Sequence, residues 1–232
     1  ARDAIITQAF DQMVSVRDIR QDRLENFFAG KRATMDVLLA AVANYQQAAE
    51  RRLDAVLRDR QKELERYFEM RLQRVNILSN TQVVAEALDQ FTRQVQGGND
   101  RARRVVADRN WQLLADHYDE VFAPYRDVLR YDDVLLIDTD GTIVYTLQRR
   151  ADLGQHLGSA SYRGTTLAEA YFQALEGQST VADFESYPAA NGAPRGFLLT
   201  DVQSAGDVQG VLALSLAPTQ LNEQLQTDSG LG

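Results

Sequence analysis

YDDVLLIDTDGTIVYTLQRR, Tyr131 to Arg150, is the first stretch of this 232-residue chain that reads as β-strand. Val134, Leu135, Leu136 and Ile137 form a short apolar run, DTDG follows as a turn, and TIVYTL forms a second run. Two apolar runs around a tight turn predict a β-hairpin, with Gly141 supplying the positive φ that a side chain resists. DTDG also shares its opening with a calcium-binding loop. Counted from Asp138, however, the place of that loop's glycine is taken by Ile143 and the place of its bidentate acid by the cation Arg149, so a plain turn is the better reading.

Upstream of the hairpin the pattern is helical. The first proline is Pro124, and the only glycines before it are Gly30, Gly97 and Gly98. So few breaking residues predict long helices. Phe10, Met13, Leu24, Phe27, Phe28, Met35, Leu38 and Val42, then Leu53, Leu57, Leu64, Phe68, Leu72, Val75 and Leu78, recur at helical spacing and form one apolar stripe. RQDRLENFF from Arg20 is nearly repeated by RQKELERYF from Arg60, and Val37 and Leu38 by Ile77 and Leu78. A duplicated arm and chance likeness between two amphipathic helices both account for this. Such a stripe is too long for a small sheet to cover, so the helices are expected to pack on each other or on a second copy of the chain. Asn80 and Thr81 mark a break, TQVVAEALDQF resumes as a short helix ending at Gly97 and Gly98, and Asp100 caps a further helix stopped by Pro124. Trp111, Leu114, Tyr118, Val121 and Phe122 form the inner face of that helix.

Downstream, TTLAEAYFQALEG reads as a helix capped by Thr165 or Thr166, with Glu169 as the capping-box partner of Thr166. STVADFESY, PRGFLLTDV and DVQGVLALSLA read as three more strands. The last is almost wholly apolar from Val211 to Ala217, as a central strand covered on both faces would be. The expected class is therefore α+β: a long helical bundle followed by an antiparallel five-stranded sheet with a covering helix.

Composition narrows the function. A formal charge of −8 and a pI near 4.9 exclude nucleic acid as the expected partner, because the arginines are interleaved with acids rather than gathered in a stripe. The absence of cysteine excludes disulfides, thiolate chemistry, zinc–thiolate sites and covalent haem attachment. His117 and His156 lie on different elements, which argues against a His-rich metal site, and no cofactor is expected. No apolar run is long enough to span a bilayer. No acid sits in a motif with a nucleophile or base, and no phosphate-binding glycine loop appears, so an enzyme is not expected. The chain opens without a helix cap and stops at SGLG, which is the pattern expected of a piece of a longer protein.

YDDVLLIDTDGTIVYTL, with RRADLGQHL, SYRGTTLAEAYFQAL, FESYPAANGAPRGFLLTDV and GVLALSLAPTQLNEQLQTDSGLG after it, resembles the extracytoplasmic PAS-like (Cache) sensor domain of bacterial methyl-accepting chemotaxis proteins. Similar modules sit on membrane cyclases and histidine kinases. The opening AFDQMVSVRDIRQDRLENFF resembles the segment that leaves the first transmembrane helix of such receptors, and residues 29–61 look like an insertion. The resemblance implies a helical dimerisation region at 1–125, a PAS-like sensor domain at 126–218 and an exit segment at 219–232. It implies a periplasmic input domain of an inner-membrane receptor, homodimeric through its long helices, with the membrane reached only by transmembrane helices outside this sequence. Its partner would be a small-molecule ligand.

In PAS-like folds the ligand lies between the sheet and its covering helix and loops, where this sequence offers Tyr145, Tyr162, Arg163, Phe184, Tyr187, Arg195 and Asp201. Arg195, Phe197, Leu199 and Asp201 alternate onto one face of their strand, as Asp183, Glu185 and Tyr187 do on theirs. Phe184 then points away from Tyr187 unless the strand is bulged. An arginine among tyrosine hydroxyls suits a small carboxylate. The alternatives are a structural dimerisation or spacer module, and the sensor domain of a cyclase or kinase.

Overall fold

The computed structural model describes residues 2–95, 108–221 and 223. Helix α1 (Arg2–Ser79) is followed by α2 (Gln82–Val95), α3 (Arg109–Asp127), β1 (Asp133–Asp138), β2 (Ile143–Thr146), α4 (Thr166–Leu175), β3 (Thr180–Ser186), a 3-10 turn (Pro188–Ala190), β4 (Pro194–Ser204) and β5 (Asp207–Leu216). Two compact units divide the chain, residues 1–64 and residues 65–232.

The first unit is helical throughout its described residues, and each side chain described up to residue 62 is exposed. Pairs one turn apart line its surface: Gln21 Nε2 donates to Glu25 Oε1 at 2.9 Å, and the Arg60 guanidinium meets Glu63 at 2.7 Å. Such exposed pairs each contribute only tenths of a kcal/mol. The large apolar side chains of the expected stripe lie in the open, with Phe28 62% and Leu38 55% exposed.

In the second unit the same stripe is covered. Phe68 and Leu72 are half-buried and Val75 and Leu78 are buried, in a cluster with Val84, Leu88 and Phe91 of α2 and Trp111, Tyr118 and Phe122 of α3. The break at Asn80 and Thr81 forms as expected, with Thr81 Oγ1 donating to the Leu78 carbonyl at 2.7 Å. Asp108 caps α3, its side chain accepting from Asn110 N; Asp100, Gly97 and Gly98 lie outside the described residues. Pro124 does not stop α3. The helix runs to Asp127, and Val128 N–H bonds the Pro124 carbonyl at 2.8 Å. Only one short turn follows the proline, so little of the helix is disturbed by its missing N–H.

The strands form one antiparallel sheet in the order β2-β1-β5-β4-β3. β5 is central and buried from Gly210 onward. Val134, Leu136, Tyr145, Leu198, Leu212 and Leu214 face the helices α1 to α3. Leu135, Ile137, Phe197, Leu199, Val211 and Ala213 face α4 and the loop before it. The α+β expectation therefore holds, with each face of the sheet closed by helix. Thr165 is the cap of α4, accepting from Ala168 N, and this displaces the expected box: the Thr166 N–H goes to Glu185 of β3 at 2.6 Å rather than to Glu169.

Candidate functional site

β1 places Asp133 on the α4 face, because it alternates with Leu135 and Ile137, which lie in the cluster on that face. Directly across in the sheet is Ser215 of β5, and Thr146 of β2 lies opposite Leu135 on the same face. The loop after β2 adds Asp152, and the residue after β3 adds Tyr187, whose hydroxyl donates to Asp152 Oδ2 at 2.6 Å. Tyr162 stacks edge-on to Tyr187 at 6.0 Å between centroids, and Phe197 closes on the other side at 5.0 Å.

This corner is polar and closed to water. Asp133 and Asp152 are 1% and 0% exposed. Asp133 Oδ1 accepts from the Val134 and Gln148 backbone N–H groups at 2.8 and 2.9 Å. Asp133 Oδ2, Asp152 Oδ1, Thr146 Oγ1 and Ser215 Oγ are buried without a hydrogen-bond partner. An unmet buried acceptor costs about 1–3 kcal/mol, so four in one corner need a reason. Burial pushes the Asp133 carboxyl up to about 7, with the charge of Asp152 adding to it. Burial raises Asp152 too, against the bond from Tyr187. Tyr162 is pushed up to about 12, first by burial and then by Asp152.

At the rim, Arg150 Nη1 and Arg195 Nε both meet Asp132 Oδ2 at 2.7 Å. Burial opposes the Asp132 charge, yet the two guanidinium groups hold its carboxyl below the usual range. Tyr131, next in the chain, packs its ring under the buried Arg71 guanidinium at 4.7 Å, and Arg71 Nη1 donates to the Leu129 carbonyl at 3.2 Å. The polar corner is thereby one residue removed from a side chain of α1.

Of the residues expected from sequence, Tyr162 and Tyr187 meet in this corner and Arg195 stands at its rim. Tyr145 does not join them. A register shift between Leu136 and Ile137 turns it toward α3, where its hydroxyl donates to Asp119 at 2.7 Å. Phe184 also packs on the helix-facing side: a bulge sets Asp183 and Phe184 together against Gly196, so Ala182 and Glu185, not Asp183, share the α4 face with Tyr187. Arg163 is exposed on the loop before α4. Asp201 pairs with Val211, four residues along β4 from Phe197 and hence about 13 Å away along the strand. Gln203 Nε2 donates to its Oδ2 at 2.5 Å. Asp138 Oδ1 accepts from Asp140 and Thr142 N–H, so DTDG caps its own turn.

Asp133, Asp152, Thr146 and Ser215 were missed by sequence reasoning. A readable signal exists for Asp133: an acid in phase with Leu135 and Ile137 on the inward side of an apolar strand.

No family model matches the chain, and no curated protein does. Among solved structures it is similar to the sensor domain of the histidine kinase DctB of V. cholerae, at 13% identity and a TM-score of 0.40 over 66% of this chain and 61% of that one. It is similar to the ligand-binding domain of the amino acid chemoreceptor PctC of Pseudomonas aeruginosa PAO1, determined with GABA, at 18% identity and a TM-score of 0.37 over 72% and 62% of the two chains. A third neighbour is the ligand-binding domain of the Campylobacter jejuni chemoreceptor Tlp3, at 14% identity and a TM-score of 0.36 over 69% and 62%. The chain thus spans about 61–62% of the length of these neighbours. All three are sensor or ligand-binding domains of chemoreceptors or of a histidine kinase.

Proposed function

We propose that the chain is a ligand-sensing input domain of a transmembrane receptor of the chemotaxis type, working on the extracytoplasmic side of the membrane and homodimeric through α1. The observation that carries this reading is the polar corner on the α4 face, where four buried acceptors lack partners beside the Tyr162–Tyr187 pair. A domain built only to hold shape gains nothing from such a corner. The ligand is a small molecule seated between the sheet and α4, with the Arg150 and Arg195 guanidinium groups at the rim as the donors for a small carboxylate.

Signalling needs a ligand that binds one packing of the domain better than another. The contact chain from Asp133 through Asp132 and Tyr131 to Arg71 supplies the mechanical link, because a shift at the start of β1 moves the ring on which an α1 side chain rests. Among the described residues no helix is long and apolar enough to cross a membrane. A spacer module is the second reading, favoured by the exposed apolar residues of α1.

A thermal-shift screen of small organic acids, amino acids and amines separates the two. A ligand at about 100 times its Kd adds about 2.7 kcal/mol of stability, and Tyr187→Phe is expected to weaken that hit by removing the hydroxyl that fixes Asp152. A melting temperature that no metabolite class moves removes the sensing reading and leaves the spacer.

A further inference from the structure

We propose that the corner between Asp133 and Asp152 is the seat of a cationic group, a primary ammonium carried by the ligand. This rests on the sensing reading above and assigns the chemistry of its deepest contact. Asp133 Oδ2, Asp152 Oδ1, Thr146 Oγ1 and Ser215 Oγ are acceptors without a partner on one face of the sheet, and two of them belong to carboxylates. An ammonium brings three N–H donors and one positive charge, which matches acceptors that are acidic and closely grouped.

The charges around the corner favour a cation. Asp132 is already met by Arg150 and Arg195. The remaining facing groups are Asp133 from β1, Asp152 from the loop after β2, and the neutral hydroxyls of Tyr162 and Tyr187; the Arg150 charge acts on both acids as well as on Asp132, but two guanidinium groups stand against three carboxylates, so one acid is left unbalanced. Without a cation the pair is relieved by a proton, and Asp133 is the group pushed up to hold it. Amine uptake at neutral pH therefore releases that proton to solvent. A hard divalent ion fits less well, since calcium takes six to eight oxygens and no group of three or more His, Cys, Asp or Glu side chains forms a cluster among the described residues.

The test uses the whole 232-residue chain and three probes of one shape, n-butylamine, n-butanol and butyrate, in thermal shift and calorimetry. Butylamine alone is expected to stabilise the protein. Its affinity should rise with pH through about 7, where Asp133 loses its proton, and proton release should appear as a dependence of the heat on buffer. Asp133→Asn and Asp152→Asn should each weaken it by about tenfold or more. Ser215→Ala and Thr146→Val remove hydroxyls that bond nothing in the protein. They should weaken the amine while leaving the melting temperature of the free chain unchanged or higher, which guards against a variant that merely misfolds. The proposal is overturned if butyrate or butanol binds as well as butylamine, if calcium stabilises the chain and the amine does not, or if the amine is indifferent to all four substitutions. It is equally overturned if none of the three probes binds, the acceptors then holding water only. Should the broad metabolite screen still give a hit that ignores Asp133→Asn and Asp152→Asn, the cation seat falls while the sensing reading stands.

Discussion

Asp133 sits on the inward face of a strand, where ionisation costs more than in the unfolded chain. Its folded carboxyl titrates near 7, whereas an unfolded aspartate titrates near ~3.9. The folded protein therefore holds a proton that the unfolded chain has lost. Stability falls as pH climbs from about 4 to about 7 and levels above it, at up to about 1.4 kcal/mol per pH unit for this one group. Urea unfolding at several pH values should show the wild-type slope reduced in Asp133→Asn, and equal slopes would remove the residue as its source. Gly210 makes a different demand. It lies in β5 with φ +153°, and a methyl group there would collide with the Ile137 carbonyl of β1. Gly210→Ala should therefore cost about 3 kcal/mol, read as a lower urea midpoint. At this scale the sequence was only partly legible. Tyr162, Tyr187 and Arg195, which lie in or beside the polar corner, could be picked out because aromatic and arginine side chains near a sheet stand out. Tyr145 was assigned to the wrong face, because a register slip of one residue reverses a side chain and leaves no mark in composition, whereas the alternation along β3 already turned Phe184 away from Tyr187, and it packs on that other face.

Elements were more legible than side chains, because their signals add over many residues. The hairpin around Gly141, the break at Asn80 and the central apolar strand follow from period, turn chemistry and apolar runs. What failed was detail that depends on a partner from elsewhere in the chain. The start of α4 is the plainest case: Glu169 stands at the spacing of a capping box to Thr166, yet Glu185 takes the Thr166 N–H and hydroxyl because the β3 bulge turns its carboxylate toward the helix start. A carboxylate there also meets the positive end of the helix dipole. Glu185→Ala is accordingly expected to destabilise the protein by about 1–2 kcal/mol, while Glu169→Ala, on the exposed side, should stay within about 0.5 kcal/mol. Thermal denaturation of the two variants side by side decides it, and the reverse order would restore the capping box that the sequence implied.

On the scale of the whole molecule, one apolar stripe has two fates. From Phe68 to Leu78 it is covered by α2, α3 and the sheet, whereas Phe10, Phe27, Phe28, Leu38, Val42, Leu53 and Leu57 of the first unit are all more than half exposed. Burying a single such side chain is worth about 1.5–3 kcal/mol, so seven on one helix favour association with a second copy in register or antiparallel. The core of residues 65–232 contains none of them. Deleting residues 1–64 should therefore leave the melting temperature of the sheet and its helices nearly unchanged at low protein concentration, while abolishing self-association in sedimentation equilibrium. Phe27→Asp together with Leu38→Asp in the full chain should do the same without shortening it, since two carboxylates would have to be desolvated in the shared seam. A full-length chain that sediments as a monomer at every concentration would show that α1 does not pair with itself, and the near-repeat at Arg20 and Arg60 would then record composition rather than a dimerisation arm.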